Sequence, residues 1–138
     1  MMGLTKLQKC QRRFVSSRRS SNSIYSLIEG IVWDQNHHYN DAISRAYYSM
    51  FYAAKAVLLT KDIITRTHKG TISQLNSNFV RVGEFEEMVW KYLPLSETLR
   101  EEADYSITKR ITQEESDEIL TGAHIFIQRC ESLISQKI

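Results

Sequence analysis

Apolar residues recur at helical spacing through most of the chain. Ile24, Leu27, Ile28, Ile31 and Val32 follow the i, i+3, i+4, i+7, i+8 pattern of an amphipathic helix, which stops near Asp34 before the polar run Gln35-Asn36-His37-His38. Asn40 or Asp41 can cap the next helix, about Asp41 to Lys61, the clearest in the sequence. One of its faces carries the small residues Ala42, Ala46, Ser49, Ala53 and Ala56, which let a neighbouring helix backbone come close. Ile43, Tyr47, Met50, Ala54 and Val57 form a bulkier stripe beside it, and Arg45, Tyr48, Tyr52 and Lys55 occupy a third face. A helix with apolar contact on two sides belongs at the centre of a bundle.

The pattern predicts a further helix from about Thr67 to Arg81, with Ile72, Leu75, Phe79 and Val82 on its buried side and Gly83 as a left-handed cap. Another runs from about Glu84 to Asp104, and Pro94 is expected to kink or split it. The last starts at Thr112, where Thr112 and Glu115 have capping-box spacing, and its apolar face is Ile119, Ala123, Phe126, Ile127 and Cys130. The sum is an all-α, up-and-down bundle of four to five helices.

Composition narrows this little further. One Pro and five Gly in 138 residues mean few corners, which favours long helices over many short strands. Hydrophobic residues at 42% and charged residues at 25% fit one ordinary globular domain. Cys10 and Cys130 are too few for a disulfide scaffold, and reduced thiols are expected, with a single bridge between them left open. No apolar run reaches the roughly 18–20 residues of a membrane span, and no apolar core follows the basic N-terminus, so the expected location is the cytoplasm with no membrane contact.

Charge adds an asymmetry. Lys6, Lys9, Arg12, Arg13, Arg18 and Arg19 give residues 1–28 a charge of +6 with no acid; against +2 for the whole chain, the rest carries −4. A basic, partly ordered segment over 1–23 thus precedes a mildly acidic bundle over 24–138, an arrangement that attracts a polyanion such as RNA or an acidic protein.

Three clusters have chemical promise. Arg45, Tyr48, Tyr52 and Lys55 suit phosphate contact and base stacking, although such tyrosines also serve as amphipathic core residues. His68, beside Arg66 and Lys69 at a helix start, could complete an anion pocket or simply pack against a neighbouring helix. Arg100 and Asp104, at i and i+4, can pair on one helix. His37 and His38 have no accompanying ligand cluster, so no metal is expected, and His124 reads as a packed structural histidine. A Gly-rich phosphate loop and a recognisable nucleophile motif are both missing, which argues against a metabolic enzyme and calls for no cofactor.

Three blocks then carry a resemblance. Ser44-Arg45-Ala46-Tyr47-Tyr48-Ser49-Met50-Phe51-Tyr52-Ala53-Ala54-Lys55-Ala56, Thr67-His68-Lys69-Gly70 followed by Asn78-Phe79-Val80, and Leu99-Arg100-Glu101-Glu102-Ala103-Asp104-Tyr105 together resemble the small single-domain prokaryotic branch of HEPN domains, over roughly residues 24–135. The resemblance implies a helical bundle, commonly dimeric, often the toxin of a two-gene module paired with a small nucleotidyltransferase antitoxin. Active HEPN domains cleave RNA without metal, using an Arg…His motif contributed by both protomers. Here Arg100 stands in the arginine's place, but the residue five positions on is Tyr105, not His. A phenol with an ordinary pKa near 10 is a poor general base at neutral pH.

The reading is therefore a homodimeric HEPN-like component of a toxin–antitoxin or defence-type module. It would bind RNA, a nucleotide or a nucleotidyltransferase partner, with ribonuclease activity weak or lost. Arg100, Asp104 and Tyr105 are the candidate catalytic groups, and Arg45, Tyr48, His68 and Lys69 the candidate binding groups. Tyr105 could instead accept a nucleotidyl group. An active metal-independent endoribonuclease and a non-catalytic interaction module are the two alternatives. If His68 folds against Arg100, a histidine returns to the cleft from elsewhere in the sequence.

Overall fold

The computed structural model describes residues 39–105 and 110–137. The predicted helix over Ile24 to Asp34, the basic segment, Cys10, His37 and His38 lie outside them. Among the described residues five α-helices follow one another: α1 (Tyr39–Leu59), α2 (His68–Leu75), α3 (Glu87–Trp90), α4 (Tyr92–Tyr105) and α5 (Gln113–Lys137). Among the described residues there is no strand. The all-α bundle is as the periodicity predicts.

α1 is the axis of the bundle. It packs most extensively on α5 and also on α4 and α2. Its small stripe and its bulky stripe are both fully buried, from Ala42 and Ile43 through to Ala56 and Val57. Ser49, the one polar member, satisfies its hydroxyl by donating to Ala46 O at 2.9 Å. The predicted face of α5 is equally buried, and Phe126 there meets Phe85 at 5.2 Å between ring centroids. Cys130 is buried with a free thiol, and burial pushes that thiol up from its ordinary pKa.

Both ends of α5's predicted start are as the capping box requires. Glu115 N donates to Thr112 Oγ1 at 3.1 Å, and Thr112 N donates to Glu115 Oε1 at 3.2 Å. At Gly83, φ is 83°, Gly83 N donates to Val80 O and Glu84 N donates to Phe79 O, so the chain leaves the π-helical turn that follows α2 with the expected left-handed glycine.

The end of α1 uses the same device without a glycine. Asp62 has φ 60°, with Asp62 N donating to Leu59 O and Ile63 N donating to Leu58 O. A side chain in that conformation costs free energy that glycine avoids. Asp62→Gly is therefore expected to stabilise the fold by about 0.5–1 kcal/mol, read as a higher denaturation midpoint at unchanged slope. A lower midpoint would mean that the aspartate's own contacts outweigh its backbone strain.

Three local expectations need correction. α2 does not run as a regular helix to Arg81; it passes into one π-helical turn, Asn76–Val80, closed by Arg81 N donating to Asn76 O. The wider turn shifts the register, so that Phe79 is buried while Val82 stands exposed. The fourth predicted helix is two, and the break falls at Lys91 instead of Pro94. Pro94 is the third residue of α4, within the first turn, where a missing N–H costs no intrahelical bond. His124 is exposed on the outer side of α5.

Candidate functional site

Three helices deliver polar groups to one place. On α4, Glu97, Arg100 and Asp104 are spaced i, i+3, i+7 and share a face. On α1, Tyr47, Tyr48 and Phe51 form one aromatic edge. On α2, His68 is the first helical residue, and Thr67 caps the helix by accepting from Gly70 N at 2.9 Å. The cap fixes where the histidine enters the bundle.

Aromatic packing holds the imidazole. Its ring stacks on Phe51 at 4.7 Å and on Tyr47 at 5.4 Å, with Tyr48 edge-on at 6.0 Å. His68 Nδ1 is hydrogen-bonded to the Tyr47 hydroxyl. The Arg100 guanidinium sits over the same tyrosines, 5.3 Å from the Tyr47 ring and 5.6 Å from that of Tyr48, in cation–π geometry.

Glu97 lies between the guanidinium and the imidazole. Its Oε1 accepts from Arg100 Nη2 at 3.0 Å, and its Oε2 lies 3.9 Å from His68 Nδ1. Asp104 takes Arg100 Nη1 at a longer 3.5 Å. Glu97 and Arg100 are 13% and 18% exposed, whereas Asp104 is half exposed, so the inner pair carries most of the interaction. Glu97 Oε2 and Arg100 Nε are buried without a hydrogen-bond partner among the described residues.

Electrostatics follow from that burial. Burial opposes ionisation of Glu97, but hydrogen bonding and charge from Arg100 outweigh it and hold the carboxyl below its usual range. Burial likewise disfavours the Arg100 cation, and Glu97 overcomes it, raising the guanidinium's pKa. Burial, with the nearby Glu97 charge, pushes the Tyr47 phenol far up, so it keeps its proton.

Of the residues picked out from sequence, Arg100, Asp104, His68 and Tyr48 are brought together. His68 and Arg100 meet through one carboxylate, so a histidine does return to the arginine from elsewhere in the chain. Tyr105 is 87% exposed at the end of α4, and Arg45 and Lys69 are exposed on α1 and α2. None of these three makes a hydrogen bond, ion pair or ring contact with the cluster among the described residues. Sequence reasoning placed Tyr47 in the core only and passed over Glu97. The signals were present: a buried phenol needs a partner, and Glu97 precedes Arg100 by three positions.

Among the described residues no group of three or more His, Cys, Asp and Glu comes together to hold a metal ion, and no helix is long and apolar enough to cross a membrane.

A helical bundle that gathers an arginine, a histidine and tyrosines on one edge agrees with the comparison to known families. The HEPN domain model matches residues 32–133, and the chain belongs to the HEPN family. It is 32% identical over 133 residues to a protein of Methanocaldococcus jannaschii named as a candidate toxin, covering 96% of this chain and 84% of that one. A second candidate toxin of the same organism is 37% identical over 102 residues, 74% of this chain and 75% of the relative. A UPF0332 protein of Pyrococcus horikoshii is 36% identical over 104 residues, 75% of this chain and 69% of the relative.

Proposed function

We propose that this chain is the RNA-binding, toxin-type component of a two-gene toxin–antitoxin or defence module, with ribonuclease activity weak or lost. The observation that carries the reading is the meeting of Arg100 and His68 on the Glu97 carboxylate, against the tyrosine edge of α1. Arginine can grip a phosphate with two parallel hydrogen bonds, and imidazole and phenol groups add donors and stacking surfaces. Asp104, half exposed and 3.5 Å from Arg100, is the weaker carboxylate on that guanidinium, and a phosphate would displace it first. The toxin-named relatives support the setting. Weak cleavage follows from the sequence: the position five residues after Arg100 is Tyr105.

In this reading the protein is a cytoplasmic homodimer whose partner is a nucleotidyltransferase antitoxin. Tyr105, exposed at the end of α4, is the hydroxyl such a partner would reach.

The test uses the full chain with labelled single-stranded RNA and tRNA in EDTA. Salt-dependent binding without cleavage is expected. Arg100→Ala should weaken binding about tenfold, or about 1.4 kcal/mol, at moderate salt. No RNA binding even at low salt, alongside a stable protein complex, would replace this reading with a pure interaction module. The return of His68 to the arginine favours one second reading, an active metal-independent endoribonuclease. Cleavage in EDTA that disappears in both Arg100→Ala and His68→Ala would establish it.

A further inference from the structure

All the N–H groups of a guanidinium lie in one plane, so Arg100 meets an anion only along its edges. Two of its nitrogens are already engaged. Nη2 donates to Glu97 Oε1 at 3.0 Å, and Nη1 donates to Asp104 Oδ2 at 3.5 Å. Nε is buried, and the rings of Tyr47 and Tyr48 lie against the guanidinium. The two carboxylates differ in depth. Glu97 is the inner one, and Asp104 is half exposed, so a ligand from solvent arrives on the Nη1 side. Asp104 stands in that place.

Its grip is weak, for three reasons. The pair is an exposed i, i+4 contact with the arginine first, the less favourable order. Asp104 lies in the last turn of α4, where no basic residue answers the partial negative charge of the helix end. Its oxygen is at the outer limit of a hydrogen bond. Charge acts in the same sense. One guanidinium faces two carboxylates, so the three groups together carry −1 and repel an incoming anion. Once the Asp104 side chain turns into solvent, Arg100 and Glu97 cancel, and Nη1 is free to donate.

We propose that Asp104 is an autoinhibitory contact: its carboxylate occupies the position of a phosphate on Arg100 Nη1, and a phosphate group binds there only by displacing it. Glu97 stays in place and holds the guanidinium against the tyrosines while Asp104 leaves. The claim about RNA rests on the function proposed above, whereas the claim about phosphate at Arg100 does not. The proposal fixes a sign. An aspartate that orients the arginine for its ligand would weaken binding when removed. An aspartate that competes with the ligand strengthens binding when removed, because both the competitor and a like charge disappear.

The test titrates the full-length protein with inorganic phosphate at constant ionic strength. Binding is followed by nitrogen-15 NMR of the Arg100 guanidinium, whose signals are assigned by their loss in Arg100→Lys. Asp104→Asn should bind phosphate about three- to fivefold more tightly than the wild type, and Asp104→Ala at least as tightly as Asp104→Asn. Glu102→Gln makes the same change in charge at an exposed residue of α4 that lies about 200° round the helix from Asp104. It should alter the affinity less than about twofold. Arg100 signals that ignore phosphate in every variant would overturn the proposal. So would an Asp104→Asn that binds no more tightly than Glu102→Gln. Single-stranded RNA added to the same samples separates the two claims. Tighter phosphate binding without any RNA binding upholds the autoinhibitory contact and refutes the RNA reading. RNA that also binds Asp104→Asn more tightly supports both, and RNA that binds it more weakly overturns the proposal.

Discussion

Gly122→Ala is expected to destabilise the protein by roughly 2–3 kcal/mol, the range for overpacking a tight core, and so to lower the melting temperature by about 6–12 °C. A Cβ at position 122 would stand 2.3 Å from Tyr92 Cδ1, 2.5 Å from Cγ and 2.6 Å from Cε1. These distances are far inside van der Waals contact. Cγ is the base of the ring, which moves only if Tyr92 changes its χ1 rotamer or the backbone at the start of α4 shifts. The glycine is buried in the middle of α5, where its weak helix propensity is a standing cost that alanine would normally recover by about 1 kcal/mol. A destabilised alanine variant therefore separates steric need from propensity. Combining Gly122→Ala with Tyr92→Leu should restore part of the loss, because removing the ring removes the clash. A neutral or stabilising Gly122→Ala in thermal denaturation would show that α4 and α5 can move apart freely.

Glu97→Ala is expected to cost about 2–3 kcal/mol, near the lower end for breaking a largely buried ion pair. It leaves the Arg100 guanidinium, 18% exposed, with Asp104 at 3.5 Å as its remaining carboxylate. Glu97→Gln keeps the shape and one acceptor oxygen and should cost less. The variants also carry a pH signature. The folded chain holds the Glu97 carboxyl below its ordinary range because Arg100 outweighs the opposing effect of burial, so the unfolded chain binds this proton more readily. Glu97's stabilisation is complete above about pH 4.3, the unfolded value, and is lost as pH falls through the lower folded value. Urea titrations from pH 6 down to pH 3, about the span that covers ordinary carboxylates, should show the wild type losing stability faster than Glu97→Gln. Parallel curves would mean that Glu97 contributes nothing to the acid limb.

The same residue explains why the site was harder to read than the fold. Periodicity reports which face of a helix is apolar, and the stripes of α1 and α5 needed nothing more: their members are the buried core. Capping chemistry is equally local, and Thr112, Glu115 and Gly83 stand where their spacing places them. Glu97 shows no such periodic signal. A glutamate on an α4 turn has the same local pattern whether it faces water or a guanidinium sandwiched against tyrosines. Pro94 and the π turn at Asn76–Val80 were misjudged for a related reason. Where a helix breaks, or takes up an extra residue, depends on which side chains its neighbours can accommodate, and that is a property of the packed bundle.

The sequence by itself determined the helical class, the central place of α1, the capping box of α5 and the presence of a HEPN-like arginine without a histidine five positions later; Asn40 and Asp41, expected as the cap of α1, lie within its first turn. The features so determined follow from spacing along one chain, because hydrophobic periodicity and end-capping act within a few residues. Only the tertiary structure decided that His68, 32 positions before Arg100 in the numbering of the chain, shares its carboxylate, and that Tyr47 is bound to the imidazole. Side chains from three helices reach one carboxylate only after the small stripe of α1 lets its neighbours close in, and sequence separation carries no record of that approach.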